Sequence, residues 1–304
     1  MSISRQLCVR VSLVLAICPL ALSGIAEAQS APGYSTVVDF NGDGYADIAE
    51  QITANGNFYV RLNLANGTFQ APGTTWGSGT AAAPAPTWQT LVGNFDGIGP
   101  YADYADVHRP SGQVWVHTGS STGVFNPTGT LQPATVSTNP NVELIVAQRT
   151  FGLFALVFEH DRTTGSLFAR TANMLPIGTS NYVTQTGPEW RLAMCDMDGN
   201  SYADVIEFHV PSGQFWVHLT NMGGIDFGPT AIHGQATNLS GYTTVFGDFN
   251  NDLLCDFADV NRSTGQLTVH LNNGNGTFNP ATYATGFYTP NVGFSIMGLP
   301  VSLP

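Results

Sequence analysis

Apolar and polar residues alternate strictly in three short segments of the chain. Because neighbouring residues of a β-strand point to opposite faces of its sheet, each segment predicts a strand with one apolar face. The apolar positions are Phe58, Val60 and Leu62, then Phe215, Val217 and Leu219, then Leu267, Val269 and Leu271. A single sheet would leave such a face in water, so we expect several sheets to pack against one another.

The strand pattern belongs to a unit that occurs five times. Each copy contains a residue pair ending in glycine that predicts a two-residue hairpin turn between two strands. These pairs are Asn55-Gly56, Ser111-Gly112, Thr164-Gly165, Ser212-Gly213 and Thr264-Gly265, with glycine spacings of 56, 53, 48 and 52 residues. A strand, a polar loop and a second strand precede the turn, and two further strands follow it. Repeats of this length made of strands predict a propeller.

We therefore predict an all-β fold, a β-propeller of four-stranded antiparallel blades, with five blades. The predicted propeller domain spans residues 29–304, and its repeats are approximately 34–85, 86–138, 139–186, 187–238 and 239–290. The first strand of the first blade is expected in "YSTVVDF", which begins at Tyr34. The last residues, approximately 291–304, contain "GFSIMGLP", which is similar to such a first strand and predicts a strand that closes the ring.

Units one, four and five carry an acidic loop with an oxygen donor at every second position. The loop positions are Asp39, Asn41, Asp43, Tyr45 and Asp47, then Asp196, Asp198, Asn200, Tyr202 and Asp204, then Asp248, Asn250, Asp252, Leu254 and Asp256. The fourth residue of each set can offer only its backbone carbonyl. Calcium takes roughly 6–8 oxygen ligands of these kinds, whereas zinc prefers histidine or cysteine. The sequence therefore predicts about three Ca²⁺ ions.

The acidic loops also allow two interpretations other than calcium binding. An EF-hand loop begins in the same way, but it needs flanking helices and a glutamate at its twelfth position, which here falls in a predicted strand. An aspartate-rich turn without metal is the plainer alternative. Unit two keeps Asn94, Asp96 and Asp103 but lacks a middle acid, so we expect weak or no binding there. Unit three ends at Leu156 without acids, and we expect no binding.

A second pattern surrounds the turns. Six residues before each turn glycine stands an acid, and five residues after it stands a basic or titratable side chain. The acids are Glu50, Asp106, Glu159, Glu207 and Asp259, and their partners are Arg61, His117, Arg170, His218 and His270. In a two-residue hairpin the members of each pair face each other directly, where opposite charges attract.

The acid–base pairs have two interpretations, and the sequence leaves both open. Aromatic side chains lie two residues nearer the turn on the same face, so the pairs could form sugar sites between blades. The candidate ligand-binding residues are Asp106, Trp115 and His117 in unit two and Glu207, Trp216 and His218 in unit four, with His108 and His209 close by. Alternatively, the pairs only hold neighbouring blades together.

The first residues predict export. Arg5 and Arg10 precede an apolar segment, Val11 to Ala26. Ala26-Glu27-Ala28 is typical of a signal-peptidase site. We expect residues 1–28 to be a secretory signal peptide, and the segment is shorter than the roughly 18 apolar residues of a membrane-spanning helix. The mature protein is therefore expected to be secreted, extracellular or periplasmic, and not membrane-spanning.

The charge of the chain disfavours one class of partner, and its cysteines leave two possible states open. The chain has 9 arginines, no lysine and 21 acidic residues, for a net charge of −12, which disfavours nucleic acid as a partner. Its 43% hydrophobic and 10% charged residues are typical of a folded protein. Cys195 and Cys255 remain after export. They could form a disulfide in an oxidising compartment or stay as two buried thiols, and the sequence does not decide between these.

The loop pattern D-x-[DN]-x-[DN]-G-x-x-D, followed by "ADI" or "ADV", a strand and "LN.GNGTF.P", resembles the FG-GAP/VCBS repeats of secreted bacterial proteins. It is also similar to the calcium loops of integrin α-subunit propellers and of fungal propeller lectins. The resemblance covers about residues 34–285, is strong in units one, four and five, partial in two and faint in three. It implies a calcium-stabilised propeller used in adhesion, ligand recognition or scaffolding.

These observations favour a binding protein over an enzyme. No G-x-S-x-G, H-E-x-x-H or P-loop motif occurs, and nearly every acid belongs to an acidic loop or an acid–base pair. We expect a ligand-binding or adhesion module whose partner is a glycan or cell-surface ligand, with lectin-like glycan recognition as the leading hypothesis. A secreted polysaccharide hydrolase or lyase on a propeller scaffold is one alternative, and a structural surface protein is another.

Overall fold

The computed structural model describes residues 34–35, 38–52, 57–70, 74–78, 87–147, 154–221, 224–237, 242–261, 264–280, 283–287 and 294–296. The predicted signal peptide lies outside the described residues. Within the described residues every regular element is a β-strand, and none is a helix able to cross a membrane.

The strands follow one another as the repeats predict. In chain order they are β1 (Tyr34–Ser35), β2 (Ile48–Ile52), β3 (Asn57–Arg61), β4 (Thr74–Ser78), β5 (Trp88–Gly93), β6 (Asp103–His108), β7 (Gln113–His117), β8 (Thr130–Leu131), β9 (Val142–Ala147), β10 (Leu156–Asp161), β11 (Ser166–Arg170), β12 (Pro176–Val183), β13 (Trp190–Cys195), β14 (Asp204–His209), β15 (Gln214–Thr220), β16 (Phe227–Gln235), β17 (Tyr242–Gly247), β18 (Asp256–Asn261), β19 (Gln266–His270), β20 (Tyr283–Phe287) and β21 (Phe294–Ile296).

These strands form five sheets, which we number as blades one to five after the units. Blade one has the order β21-β2-β3-β4, blade two β5-β6-β7-β8, blade four β13-β14-β15-β16 and blade five β17-β18-β19-β20. Blade three has the order β1-β9-β10-β11-β12. All neighbours pair antiparallel except β1 and β9, which run parallel. The predicted all-β propeller of antiparallel blades is confirmed.

Five apolar clusters hold the blades in a ring. Each cluster lies between two neighbouring blades, and the fifth joins blade five to blade one through Val260, Val269 and Ile48. Phe58 of blade one stacks on Tyr104 of blade two with ring centroids 5.1 Å apart. The alternating positions predicted to be apolar in the third strands of blades one, four and five lie in three of these clusters, because each blade can bury its faces only against the next blade.

The first strand of blade one comes from the C-terminal end of the chain and not from the N-terminal segment that was predicted to supply it. The prediction that "YSTVVDF" supplies this strand is wrong, because Tyr34 pairs with Ile145 of β9 in blade three. Strand β21 occupies the position instead, with Ser295 opposite Gln51 of β2. The edge of β2 is thereby paired and not left exposed, and the C-terminal strand closes the ring.

The predicted two-residue hairpin turns are wrong in blades two to five, and the turn predicted at Asn55-Gly56 lies outside the described residues. In blade two, His108 lies opposite Gln113, so four residues form the turn. Gly112 adopts a φ of +68° and its N–H donates to the His108 carbonyl at 2.8 Å. A Cβ at Gly112 would lie 2.2 Å from the Val136 carbonyl oxygen, which explains the glycine. Blades three, four and five repeat this turn.

The longer turn shifts the hairpin register by two residues. The acid therefore faces the aromatic residue directly, as Asp106 faces Trp115, and its basic partner lies diagonally across the strand pair. A shift of two keeps every side chain on its predicted face, since side chains alternate with a period of two.

Candidate functional site

The three acidic loops fold in the same way around their first aspartate. One carboxylate oxygen accepts the N–H of the residue three positions later, and the other accepts the N–H five positions later. Asp39 accepts the N–H groups of Gly42 at 2.6 Å and Gly44 at 2.7 Å. Asp196 accepts those of Gly199 and Ser201, both at 2.7 Å, and Asp248 accepts those of Asn251 at 2.6 Å and Leu253 at 2.8 Å. The aspartate thus curls each loop locally, as Asx turns do.

The middle positions of each loop contact one another. The side chain at the fifth position accepts the N–H of the seventh residue, namely Tyr45 to Asp43 at 3.0 Å, Tyr202 to Asn200 at 2.8 Å and Leu254 to Asp252 at 2.9 Å. An asparagine amide donates to the neighbouring carboxylate, namely Asn41 to Asp43 at 2.9 Å, Asn200 to Asp198 at 3.1 Å and Asn250 to Asp252 at 2.9 Å. The side chains at the third and fifth positions are therefore hydrogen-bonded to each other in all three loops.

The backbone of Leu253 has a strained conformation. Leu253 has a φ of +71°, a region that disfavours side chains, whereas the equivalent Gly44 has a φ of +92°. We expect Leu253→Gly to raise the free energy of unfolding by about 1 kcal/mol, because it removes this backbone strain. Urea denaturation measures the change. The control is Leu131→Gly, which also removes an exposed leucine but lies in strand β8. This variant should lower the free energy of unfolding. Equal effects of both variants would contradict the strain argument.

The last aspartate of each loop ties the loop to the third strand of its blade. One oxygen accepts the N–H of the residue after the first aspartate, and the other accepts an N–H at the end of the third strand. Asp47 accepts the N–H groups of Phe40 and Asn63, both at 2.8 Å. Asp204 accepts those of Met197 at 2.8 Å and Thr220 at 2.7 Å, and Asp256 accepts those of Phe249 at 3.0 Å and Asn272 at 2.8 Å. All three aspartates are fully buried.

Blade two shows that this clamp is part of the architecture. Asp103 accepts N–H groups of Phe95 and Gly119, each at 2.7 Å, although its loop lacks a full set of metal ligands. The spacing of the loop residues predicts only a ligand role for the last aspartate. The persistence of Asp103 in the degenerate loop was the signal for its second role.

One loop brings three carboxylates together as a metal site requires. Asp196, Asp198 and Asp204 each place a carboxylate oxygen within 4.8 Å of the others, the only such group of acids among the described residues. Asp196 and Asp204 are buried and Asp198 is exposed. Burial, opposed in part by backbone hydrogen bonds, raises the pKa of Asp204 to about 7. A cation bound here would offset this cost of burying charge, so the donor set fits a metal ion.

The first and last aspartates of the other two loops experience the same burial. Desolvation raises the pKa of Asp47 and of Asp256 to about 8, and that of Asp248 to about 6. In these loops the third position is asparagine and the fifth is aspartate, whereas the loop of blade four has the reverse order. Each loop has three acids, but in blades one and five the three carboxylates do not all lie within 4.8 Å of one another. Binding at these two loops stays a prediction.

The loops of neighbouring blades form a continuous layer at one end of the ring. The residue before the last loop position, which is an aspartate except at Leu156 of blade three, donates its N–H to the carbonyl of the first loop residue in the adjacent blade. These bonds are Cys255 to Asp196 at 2.7 Å, Ala46 to Asp248 at 2.7 Å, Ala102 to Asp39 at 3.1 Å and Ala155 to Asn94 at 2.7 Å. A disulfide between Cys195 and Cys255 adds a covalent link between blades four and five, which settles the open question about these cysteines.

The acid–base pairs form, but they also bind the backbone that connects blades. The contacts are His117–Asp106 at 3.5 Å, Arg170–Glu159 at 2.7 Å, His218–Glu207 at 3.2 Å and His270–Asp259 at 3.8 Å. Three of the acids accept an N–H from the segment arriving from the preceding blade: Ser137 to Glu159 at 2.6 Å, Gln185 to Glu207 at 2.6 Å and Thr237 to Asp259 at 2.8 Å. The side chain of Glu50 lies outside the described residues. This geometry favours the packing interpretation.

Two aromatic clusters with the same geometry lie at the turn end of blades two and four. Trp88, His108 and Trp115 form the first, and Trp190, His209 and Trp216 form the second. The Trp–His centroid distance is 4.8 Å in both clusters. The Trp–Trp distances are 5.5 and 5.4 Å, with interplanar angles of 47° and 48°. All six side chains are partly exposed.

Each cluster is held by its own blade. Trp88 lies opposite His108 in the strand register, as Trp190 lies opposite His209. His108 Nδ1 lies 2.7 Å from Ser111 Oγ, and His209 Nδ1 lies 2.8 Å from Ser212 Oγ. Trp115 and Trp216 are predicted from the sequence as ligand residues, whereas Trp88 and Trp190 are not, although both begin the first strand of their unit ("WQTLVGNF" and "WRLAMCDM").

The other candidate ligand residues lie behind these clusters. Asp106, His117, Glu207 and His218 are at most 6% exposed. The His117 ring stacks on Tyr104 at 4.3 Å, and the Tyr182 hydroxyl lies 2.8 Å from His218 Nε2. These four residues therefore support the strands that carry the tryptophans, and the tryptophans provide the accessible surface.

No family model matches the chain, and no curated protein sequence matches it. Several solved structures are similar to it, and three of them are a lectin, a protein of unknown function and a gluconolactonase. A lectin from Agrocybe aegerita that recognises non-reducing terminal N-acetylglucosamine shows 15% identity over 78% of this chain and 65% of its own, with a TM-score of 0.36. A Bacteroides caccae protein of unknown function shows 10% identity over 77% and 72%, with a TM-score of 0.40.

The third similar structure is the periplasmic gluconolactonase of Pseudomonas aeruginosa. It shows 14% identity over 88% of this chain and 73% of its own, with a TM-score of 0.42. The chain thus spans about 65% of the length of the lectin. Similarities this distant say nothing about the site. The class defined by the strand topology is the β-propeller, and the likeness to FG-GAP/VCBS repeats stays a prediction from the loop residues.

Proposed function

We propose that the chain is a secreted, calcium-stabilised β-propeller that binds glycans at the two tryptophan clusters. The observation that carries the proposal is the repetition of one Trp–His–Trp geometry in blades two and four. A tryptophan ring offers a flat apolar surface on which a sugar ring stacks, and imidazole and hydroxyl groups bind sugar hydroxyls.

Packing alone does not explain the clusters. The equivalent positions are Val142, Asp161 and Phe168 in blade three and Tyr242, Asn261 and Thr268 in blade five. These two blades form the same four antiparallel strands, to which blade three adds β1, and the same turns without tryptophan at these positions. Because the ring closes without such a cluster in every blade, the partly exposed tryptophans support a role in ligand binding.

Calcium is the cation that best suits the acidic loops. Asp196, Asp198, Asn200 and Asp204 with the carbonyl of Tyr202 would hold an ion in blade four, and the equivalent residues would do so in blades one and five. All donors are oxygens and two per loop are neutral, the mixture that calcium takes. The ion would supply positive charge beside buried carboxylates, and the loops would hold the strand ends of neighbouring blades in place.

Three of the four acids that lie in the mature protein outside the acidic loops and acid–base pairs support a binding protein over a hydrolase. A glycosidase needs two carboxylates facing each other across a cleft. Glu143 is buried and lies 3.4 Å from His160 Nδ1. Asp161 accepts the N–H and the hydroxyl of Thr163, which lowers its pKa, and Asp226 accepts the N–H of Asn181 at 2.9 Å. These three carboxylates each have a structural partner.

A glycan-array screen of the mature protein, followed by calorimetry, tests the proposal. We expect Trp115→Ala and Trp216→Ala each to abolish one of two binding sites, and the double variant to bind at least tenfold more weakly, because centrally placed tryptophans dominate such sites. Phe168→Ala, at the same position in blade three, is the matched control and should bind normally.

Two outcomes would contradict the glycan proposal. The double variant could bind as tightly as the wild type while keeping its circular dichroism spectrum, which would remove the clusters from the site. In a parallel assay on polysaccharides, the appearance of new reducing ends or unsaturated uronates would show an enzyme instead of a binding module.

A further inference from the structure

The acidic loops of blades four and five are joined covalently at their ligand residues. Cys195 directly precedes Asp196, the first residue of the loop in blade four, and Cys255 directly precedes Asp256, the last aspartate of the loop in blade five. The disulfide holds the two cysteine Cα atoms 5.8 Å apart. The loop of blade one has no cysteine. The bond therefore fixes two candidate ligands from different blades relative to each other.

Hydrogen bonds around the disulfide connect the same two loops. Cys255 donates its N–H to the Asp196 carbonyl at 2.7 Å. The Asn272 amide donates to the Cys255 carbonyl at 3.1 Å and to the Met197 carbonyl at 2.9 Å. Cys255 and Asn272 are buried, whereas Cys195 is partly exposed. A displacement at residue 255 must therefore move the backbone that carries the first ligand of blade four.

We propose that the Cys195–Cys255 disulfide sets the cation affinity of the loops in blades four and five, so that reduction releases cations from these two loops and not from blade one. The inference rests on the proposed cation binding. Once the bond is broken, Asp196 and Asp256 are free to separate, and a cation must then reassemble the loops at the cost of its own binding energy.

The same coupling acts in the reverse direction. Two sites linked by a free energy influence each other equally, so a bound cation must make the disulfide harder to reduce by the factor by which the disulfide tightens cation binding. In the reduction, the Sγ–Sγ bond breaks and each sulfur gains one electron and one proton. A dithiol reductant supplies both electrons and both protons and becomes a cyclic disulfide.

Equilibration of the mature protein in dithiothreitol redox buffers, with calcium or with EDTA, measures this coupling. Alkylation and mass spectrometry give the fraction of reduced protein, and equilibrium dialysis of the oxidised protein gives the calcium count. We expect calcium to shift the reduction midpoint by about 30 mV or more to lower potential, which corresponds to a tenfold coupling. Asp198→Ala and Asp252→Ala should each diminish the shift.

Asp43→Ala in blade one is the matched control, because it removes a cation from a loop without a cysteine. It should leave the calcium-dependent shift intact. An oxidised wild type that binds calcium but shows no shift would overturn the inference. So would a shift that Asp43→Ala diminishes as strongly as the other variants, since calcium would then act through general stability. An oxidised wild type that binds no calcium would instead refute the proposed cation sites themselves.

Discussion

Removal of calcium with EDTA is expected to lower the melting temperature of the mature protein by about 16–32 °C at pH 8. An ion that binds only the folded state stabilises it by about 2.7 kcal/mol per site when its concentration is a hundredfold above Kd. Three sites then contribute about 8 kcal/mol, and about 2–4 °C of melting temperature corresponds to each kcal/mol in a chain of this size. Differential scanning calorimetry with and without EDTA measures the difference.

The effect of calcium should grow between pH 5 and pH 8. Burial raises the folded-state pKa of Asp204 to about 7 and that of Asp47 and Asp256 to about 8, above the unfolded value of about 3.9. Without metal, a raised pKa contributes stability that is fully present below about pH 4 and lost as the pH rises through about 7–8. Calcium offsets this loss by binding the ionised carboxylates, and protons compete with it at low pH.

Variants connect the melting temperature to individual loops. Asp43→Ala and Asp252→Ala should each remove about one bound calcium, counted by equilibrium dialysis. Gly152→Ala, in the unit without loop acids, should remove none, although its position lies outside the described residues. A melting temperature at pH 8 that EDTA does not change would refute calcium stabilisation of this propeller.

Asp103→Ala is expected to lower the free energy of unfolding by about 3 kcal/mol, and the melting temperature by about 6–12 °C, equally in calcium and in EDTA. The Asp103 carboxylate is 1% exposed and accepts the N–H groups of Phe95 and Gly119 at 2.7 Å each. Alanine would leave both amides buried without these partners, in a loop where we expect little or no metal. Urea denaturation and calorimetry in both buffers measure the change.

Asp43→Ala provides the contrast to Asp103→Ala. Asp43 is exposed, and we expect its loss to reduce stability in calcium but to have little effect in EDTA. This pair of variants separates the two roles of loop aspartates, ligand and clamp. If Asp103→Ala were neutral in EDTA, or if its effect depended on calcium, the clamp would not be an architectural element of the blade.

The sequence predicted the features that depend on neighbouring residues. Alternation at Phe58 and Val60 requires only that strands place successive side chains on opposite faces, and both residues lie in the core between blades. The acidic loops are read locally as well, because Asp39 curls its loop by hydrogen bonds to residues within five positions. The repeat then specified a ring, since one blade cannot bury its own faces.

The turns show where local prediction ended. A glycine pair such as Ser111-Gly112 favours a two-residue hairpin. The register instead depends on Gly112 meeting the Val136 backbone, which arrives from the far side of the blade. The predicted acid–base pairs still form, because a shift of two residues keeps each side chain on the same face of its sheet. Asp106 therefore contacts His117, but diagonally across the strand pair and not directly opposite.

The sequence by itself determined the strands, the five-unit ring and the order of oxygen donors in the loops, because these depend on residue spacing within a unit. Only the tertiary structure decided that β21 replaces the N-terminal segment beside β2, that Cys195 and Cys255 form a disulfide, and that Trp88 meets Trp115. Each of these joins residues from different strands or blades, and their proximity is created by the closure of the ring and the pairing of strands, which spacing along the chain does not encode.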